Sequence, residues 1–247
     1  MRALALRTFA VVLTAALWCL PAAAQVRIAT DAAGHALRIQ GSVVVIEPDI
    51  ELSLVTAGGL TEPRKEWSEA ARKLYPQAVR TRLGNLNIQQ KADFEIPDDL
   101  PADSRMGQII RLNEAVAMSI SQYSAAGSVL ATKKDAKGRP RMDWTLGPGV
   151  TELQQATGAD YALFTYVRDS YTSGGRAALR ALTMLAGFAM GTYLDIGGGA
   201  QVGVATLVDL RTGQVVWFNL MAKQSGDLRD QSGANATAMQ LLRDMPR

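Results

Sequence analysis

The chain has 247 residues and 26 lysines and arginines against 23 aspartates and glutamates, a formal charge of +3. Two of the cations, Arg2 and Arg7, belong to an N-terminal export signal, and taking those two from +3 leaves about +1, which argues against a general preference for polyanions. The single cysteine, Cys19, lies in the same segment, so the mature chain has no disulfide, no thiol nucleophile and no cysteine-based metal site.

Arg2 and Arg7 precede an apolar run from Phe9 to Leu20, and Pro21-Ala22-Ala23-Ala24 then offers small residues at the positions a signal peptidase reads. Residues 1–24 are therefore predicted to be a signal peptide cleaved after Ala24, which places the protein in the periplasm, with association with the outer membrane as the secondary reading. An apolar run of about a dozen residues is too short for a permanent anchor. Lipidation at Cys19 is the competing reading, and Trp18 opposes it by standing where a small residue is needed. What remains suffices for one domain, taken as 42–247 behind an N-terminal arm over 25–41.

The arm is polar, alanine-rich and weakly periodic, and is expected to be extended or partly ordered. It holds the only histidine, His35, which beside Gly34 reads as a solvated loop residue rather than a ligand or base. Ser42 to Pro48 then places four β-branched residues in a row, the pattern of a strand buried on both faces. Beyond it Asp49 and Glu51 alternate with Ile50 and Leu52, so in an extended chain the two carboxylates share a face about 7 Å apart. That spacing suits a cation or an acid/base pair, but with no further ligand cluster the segment reads first as a solvated edge or loop.

Thr61-Glu62-Pro63 predicts the start of a helix packing on the sheet through Trp67, with Pro76 opening a second segment that ends at Gly84-Asn85. Leu86 to Phe94 alternates weakly, as a short strand would. Ser104 starts a long helix whose stripe of Met106, Ile109, Ile110, Leu112, Val116, Met118 and Ile120 implies burial along most of its length. Lys133, Lys134, Lys137, Arg139 and Arg141 then form the one strong charge cluster. It reads first as a solvated loop and second as a contact for an anionic membrane surface, lipopolysaccharide or a wall polymer; an exported protein has no call for nucleic acid.

A short helix through Leu153 to Thr157 delivers the chain into an aromatic and β-branched strand from Tyr161 to Arg168. Val202 to Leu210 and Gln214 to Asn219 flank Arg211-Thr212-Gly213, a β-hairpin with a glycine-containing loop. Between the Tyr161 to Arg168 strand and this hairpin, Ala177 to Leu194 reads as an apolar helical insertion in which Gly187 and Gly191, with Phe188 between them, permit close approach of another helix. A core helix ranks first for it, a self-association or membrane contact second, and a membrane span last. Gly197-Gly198-Gly199 follows as a return loop, since a nucleotide-binding turn needs a strand before it and a helix after. Ala234 to Met245 closes the chain as a helix with Ala238, Leu241 and Leu242 on one side.

Val43 to Pro48, Gly158 to Arg168 and Gln201 to Trp217, with the turn Asp209-Leu210-Arg211-Thr212-Gly213, together resemble the bacterial envelope proteins related to the curli secretion subunit CsgG. The core is also similar to that of LpoB and the N-terminal domain of TolB. The resemblance implies an α/β fold, a mixed sheet with a C-terminal β-hairpin packed against helices, and an envelope role. It carries over no catalytic residue. CsgG is lipidated and contributes strands to a barrel, whereas this chain lacks both a good lipidation site and an obvious pair of long alternating strands.

The enzymatic inventory is thin: G-x-S-x-G, HExxH and the P-loop are all missing from the sequence. Glu47, Asp49, Glu51, Glu62, Glu66 and Asp169 are the carboxylates that would have to converge for a wall hydrolase. The expected function is a non-enzymatic envelope scaffold or adaptor with no cofactor, binding an envelope partner or itself, with peripheral membrane contact. A CsgG-like secretion channel is the second reading and a carboxylate hydrolase the third.

Overall fold

The computed structural model describes residues 25–31, 33–56, 60–101, 103–123, 129–135, 137–172 and 201–247. In chain order the strands and helices are β1 (Gln25–Ile28), β2 (Ser42–Val45), β3 (Asp49–Val55), β4 (Thr61–Pro63), α1 (Lys65–Asn85), β5 (Gln89–Gln90) and α2 (Arg105–Tyr123). There follow α3 (Thr151–Thr157), β6 (Tyr161–Thr172), β7 (Gln201–Asp209), β8 (Val215–Ala222) and α4 (Gln231–Leu241). The strands form one open mixed sheet in the order β1-β8-β7-β6-β2-β5, with β3 joined to both β6 and β4. The fold is thus α/β with a C-terminal hairpin.

β6 organises the sheet because its 12 residues give it room for two parallel neighbours end to end. β2 lies against its beginning, from Val43↔Tyr161 to Val45↔Leu163, and β3 against its remainder, from Asp49↔Tyr166 to Val55↔Thr172. The four β-branched residues behave as a doubly buried strand should. Val43 and Val45 join the core under α1 and α4, while Val44 and Ile46 join the core under α2. On the other side β7 runs antiparallel to β6 from Tyr161↔Asp209 to Asp169↔Gln201, and β8 completes the hairpin.

The Gly158-Ala159-Asp160 corner that starts β6 has a local cause. Gly158 ends α3 in the left-handed conformation at φ 63°, which glycine adopts without the penalty of a Cβ. Asp160 then accepts from the Ser42 backbone N–H at 2.8 Å and from its hydroxyl at 3.1 Å, which aligns β2 with β6. Those bonds, the backbone one foremost, hold its carboxyl below the usual carboxylate range.

Several elements differ from expectation. The N-terminal arm supplies an edge strand: β1 pairs antiparallel with β8 from Gln25↔Leu220 to Ile28↔Trp217. The Asp49 segment is not an edge or loop but lies between β6 and β4. Thr61-Glu62-Pro63 is itself the outer strand β4, and the helix begins only after it. α1 then continues through Pro76 without stopping. An internal proline costs about 3 kcal/mol, but full burial of a large apolar side chain returns roughly 1.5–3 kcal/mol each. Tyr75, Val79 and Leu83 are all fully buried on that helix, so packing wins.

Trp67 lies at the rim of this face rather than at its centre, which Ala71, Tyr75, Ala78 and Val79 occupy. α2 buries one side only, through Met106, Ile109, Ala117 and Ile120, and leaves Leu112 exposed. At its centre sits the polar Asn113, fully buried, donating to the Tyr166 hydroxyl at 3.0 Å and accepting from the Thr206 hydroxyl at 2.8 Å. α4 starts earlier than Ala234 because Asp230 caps it, its side chain accepting from Gly233 N–H at 2.8 Å.

Candidate functional site

The signal peptide with Cys19, and the insertion with Gly187, Phe188 and Gly191, lie outside the described residues. What the structure does show is the root from which the insertion leaves. Asp169 on β6 and Gln201 on β7 are register partners in the last rung of that strand pair. Both side chains are buried. The Gln201 amide donates to Asp169 Oδ2 at 2.8 Å and to the Gly226 carbonyl at 3.0 Å, while its oxygen accepts from Ser225 N–H at 2.9 Å.

Two residues further along β6, Tyr171 points to the same face, as alternation requires. Its hydroxyl donates to Asp169 Oδ2 at 2.8 Å and accepts from Leu228 N–H at 3.0 Å. The Arg229 guanidinium lies 4.0 Å from the Tyr171 ring centre and 4.7 Å from that of Trp67, and Trp67 meets Tyr171 edge-on at 5.7 Å. Arg229 also forks onto Asp227, with the closest approach 2.6 Å, and this pairing pulls the Asp227 carboxyl down to about 2.

Asp169 is shifted the opposite way. Burial raises its carboxyl to about 6, outweighing the bonds from Tyr171 and Gln201, and Asp227 adds like-charge repulsion. Both donors use Oδ2, and Oδ1 has no hydrogen-bond partner among the described residues. The arrangement positions backbone. It ties the 225–229 segment to the ends of β6 and β7, with Trp67 of α1 as the outer wall.

The other carboxylates do not converge with it. Asp49 faces the opposite side of the sheet, where Arg168 binds it at 2.6 Å, and Glu51 shares that side by alternation. Glu47 accepts from Ile96 N–H at 2.8 Å in the wall of a groove of about 850 Å³ where β2 gives way to β3. Across that groove Arg80 pairs with Asp93. Glu62 and Glu66 are exposed. Among the described residues no three His, Cys, Asp or Glu side chains gather as a metal site, and none of the helices is long and apolar enough to cross a membrane.

The basic loop is a small structured turn. Asp135 accepts from the backbone N–H groups of Lys137 and Arg139 and pairs with Arg139 at 2.8 Å. Lys133 reaches Asp143 at 3.1 Å and lies 4.6 Å from the Trp144 ring centre, and Arg141 pairs with the same Asp143. Three of the five cations therefore have carboxylate partners, and Lys134 and Lys137 are the two exposed ones with no ion pair shown. Trp144 and Leu146 fasten the loop to the hairpin, through Val215 N–H to Trp144 O at 2.9 Å and Leu146 N–H to Gly213 O at 2.8 Å.

No family model matches the chain, and no curated protein matches it. Among solved structures it is similar to the PelC dodecamer from Paraburkholderia phytofirmans, at 15% identity over 89% of this chain and 94% of that one, with a TM-score of 0.36. A variant form of the same dodecamer gives 14% identity over 90% and 99%, with a TM-score of 0.37. Lipoprotein GNA1162 from Neisseria meningitidis gives 14% identity over 74% and 81%, with a TM-score of 0.27.

Proposed function

We propose that this chain is a non-enzymatic component of the bacterial cell envelope, an adaptor whose α/β core presents the 177–194 segment to a second copy or to another envelope protein. One observation carries the reading. The segment departs from and returns to the sheet's best-paired strands, β6 and β7, at a rung where buried side chains hold both strand ends and the following backbone. Segments positioned by a rigid scaffold are where proteins place their contacts. The basic loop, with Lys134 and Lys137 outermost, is the surface for peripheral contact with anionic lipid or polymer.

Gly187→Leu and Gly191→Leu are expected to weaken self-association or partner capture at least tenfold while leaving the thermal unfolding midpoint unchanged. Light scattering of residues 25–247, with and without mild detergent, reads the assembly, and circular dichroism reads the fold. Unchanged assembly in both variants would remove the segment from the contact. Turnover of cell-wall glycans lost in Asp49→Asn would replace the adaptor with a hydrolase.

A CsgG-like secretion ring is the second reading. The three stretches that carry that resemblance fall on four consecutive strands of the sheet, β8, β7, β6 and β2. It calls for a detergent-extracted oligomer that conducts in a planar bilayer, and a detergent-independent monomer would rule it out.

A further inference from the structure

We propose that Asp169 and Gln201 form a proton-sensitive latch, which grips the 225–228 backbone against the ends of β6 and β7 when Asp169 is neutral and loosens it when Asp169 is ionised. The geometry joins three separate pieces of chain through three side chains. Gln201 takes Ser225 N–H and gives to Gly226 O, Tyr171 takes Leu228 N–H, and both donate to the one oxygen Asp169 Oδ2. Thr237 of α4 reaches Gln201 as well, at 3.4 Å. The second carboxyl oxygen, Oδ1, is buried with no partner among the described residues. A full negative charge on Asp169 therefore sits 2% exposed, with both close donors on Oδ2 and the Gln224 amide favouring the charged form more weakly than either.

Among the described residues, Arg229 is the cation that couples to Asp169, and that coupling is the smallest of those acting on its guanidinium. Asp227 is a like charge, and Arg229 is already forked onto Asp227 and stacked on Tyr171 and Trp67. Arg64 lies over Trp67 at 5.2 Å from the ring centre. β3 presents apolar Leu52 as the register partner of Asp169, and Gln201 and Thr237 carry no charge.

The direction follows from linkage. A carboxyl raised in the folded state binds its proton more tightly there than in an opened state near the ordinary value, so the closed form is favoured most below about pH 4. That advantage is lost as pH rises to about 6 and stays lost above it. For an opening that exposes Asp169, the equilibrium shifts roughly 30-fold toward the open form between pH 4.5 and pH 7.5.

Hydrogen exchange of the Ser225 and Leu228 amides, corrected for the intrinsic pH dependence of exchange, reads this directly. The expected result is about 30-fold greater protection at pH 4.5 than at pH 7.5 in the parent chain and less than threefold change in Asp169→Asn, which keeps an oxygen for Tyr171 and Gln201 but carries no charge. A flat profile in the parent, or the same slope in Asp169→Asn, would overturn the latch. The Asp169 carboxyl ¹³C shift gives a second test that needs no variant: its midpoint is expected at about 6, and a midpoint near 4 would sink the proposal. In Tyr171→Phe the midpoint is expected to rise, because the lost O–H favoured the carboxylate, and an unmoved midpoint would show that Tyr171 does not act on it.

Discussion

Gly213→Ala is expected to lower the free energy of unfolding by about 3 kcal/mol, the sum of two costs at one atom. Gly213 has φ 75°, a conformation that costs an L-residue roughly 1–2 kcal/mol. A Cβ there would lie 2.2 Å from the Gly147 carbonyl oxygen and 2.8 Å from its carbon, which are backbone atoms and not a flexible side chain. Gly147 cannot simply retreat. Leu146 N–H and the Thr145 hydroxyl both bond to Gly213 O, and Gly147 N–H bonds back to that Thr145 hydroxyl. Overpacking of this kind adds roughly 1–3 kcal/mol. Gly138 supplies the control, because at φ 74° a Cβ would meet nothing within 4 Å, so Gly138→Ala is expected to cost only about 1 kcal/mol. Urea titration followed by circular dichroism measures both, and equal losses would show that the contact with Gly147 does not constrain the turn.

The same turn explains why the hairpin was legible in the sequence. Asp209, Thr212 and Gly213 are local signals: Asp209 Oδ1 accepts from Arg211 N–H at 2.8 Å, and Gly213 N–H donates to Asp209 O at 2.7 Å. Gly158 and the β-branched run of β2 are equally local, a helix stop and a doubly buried strand. β1 gave no such signal. Val26, Arg27 and Ile28 are only half-buried, since an edge strand packs on one neighbour, and nothing in four residues distinguishes it from a loose arm. Pro76 misled for the opposite reason, because its local cost is real and is overruled by side chains whose burial depends on the sheet beneath.

The polar lock at the root of the insertion was still less accessible. Asp169 and Gln201 stand on opposite sides of a long excursion in the chain, and only the register of β6 against β7 makes them neighbours. Asp169 entered the sequence reading as one of six carboxylates that might meet. Alternation along β3 and β6 puts it instead on the face opposite Asp49 and Glu51. The basic loop shows a smaller version of the same limit. Its five cations were visible, but Asp143, just beyond the cluster, takes two of them once the turn folds back.

Trp217→Ala is expected to cost about 4 kcal/mol, and Trp217→Phe only about 1 kcal/mol. Trp217 is fully buried on β8, one strand in from the sheet's edge, with Ile28 of β1 on one side and Leu207 of β7 on the other as register partners. Removing the ring leaves a cavity that three paired strands cannot close, which places the alanine variant in the upper range for core truncations. The smaller cost of phenylalanine depends on the indole nitrogen. Nε1 is buried and has no hydrogen-bond partner among the described residues, so tryptophan bears a desolvation penalty that phenylalanine does not. That relief, about 1–3 kcal/mol, offsets most of the contact area lost with the smaller ring. The difference between the two variants in urea denaturation is the measurement. If phenylalanine destabilises the protein as much as alanine does, the indole N–H has a partner in solution, and the sheet face at β8 is closed by a polar contact rather than by packing alone.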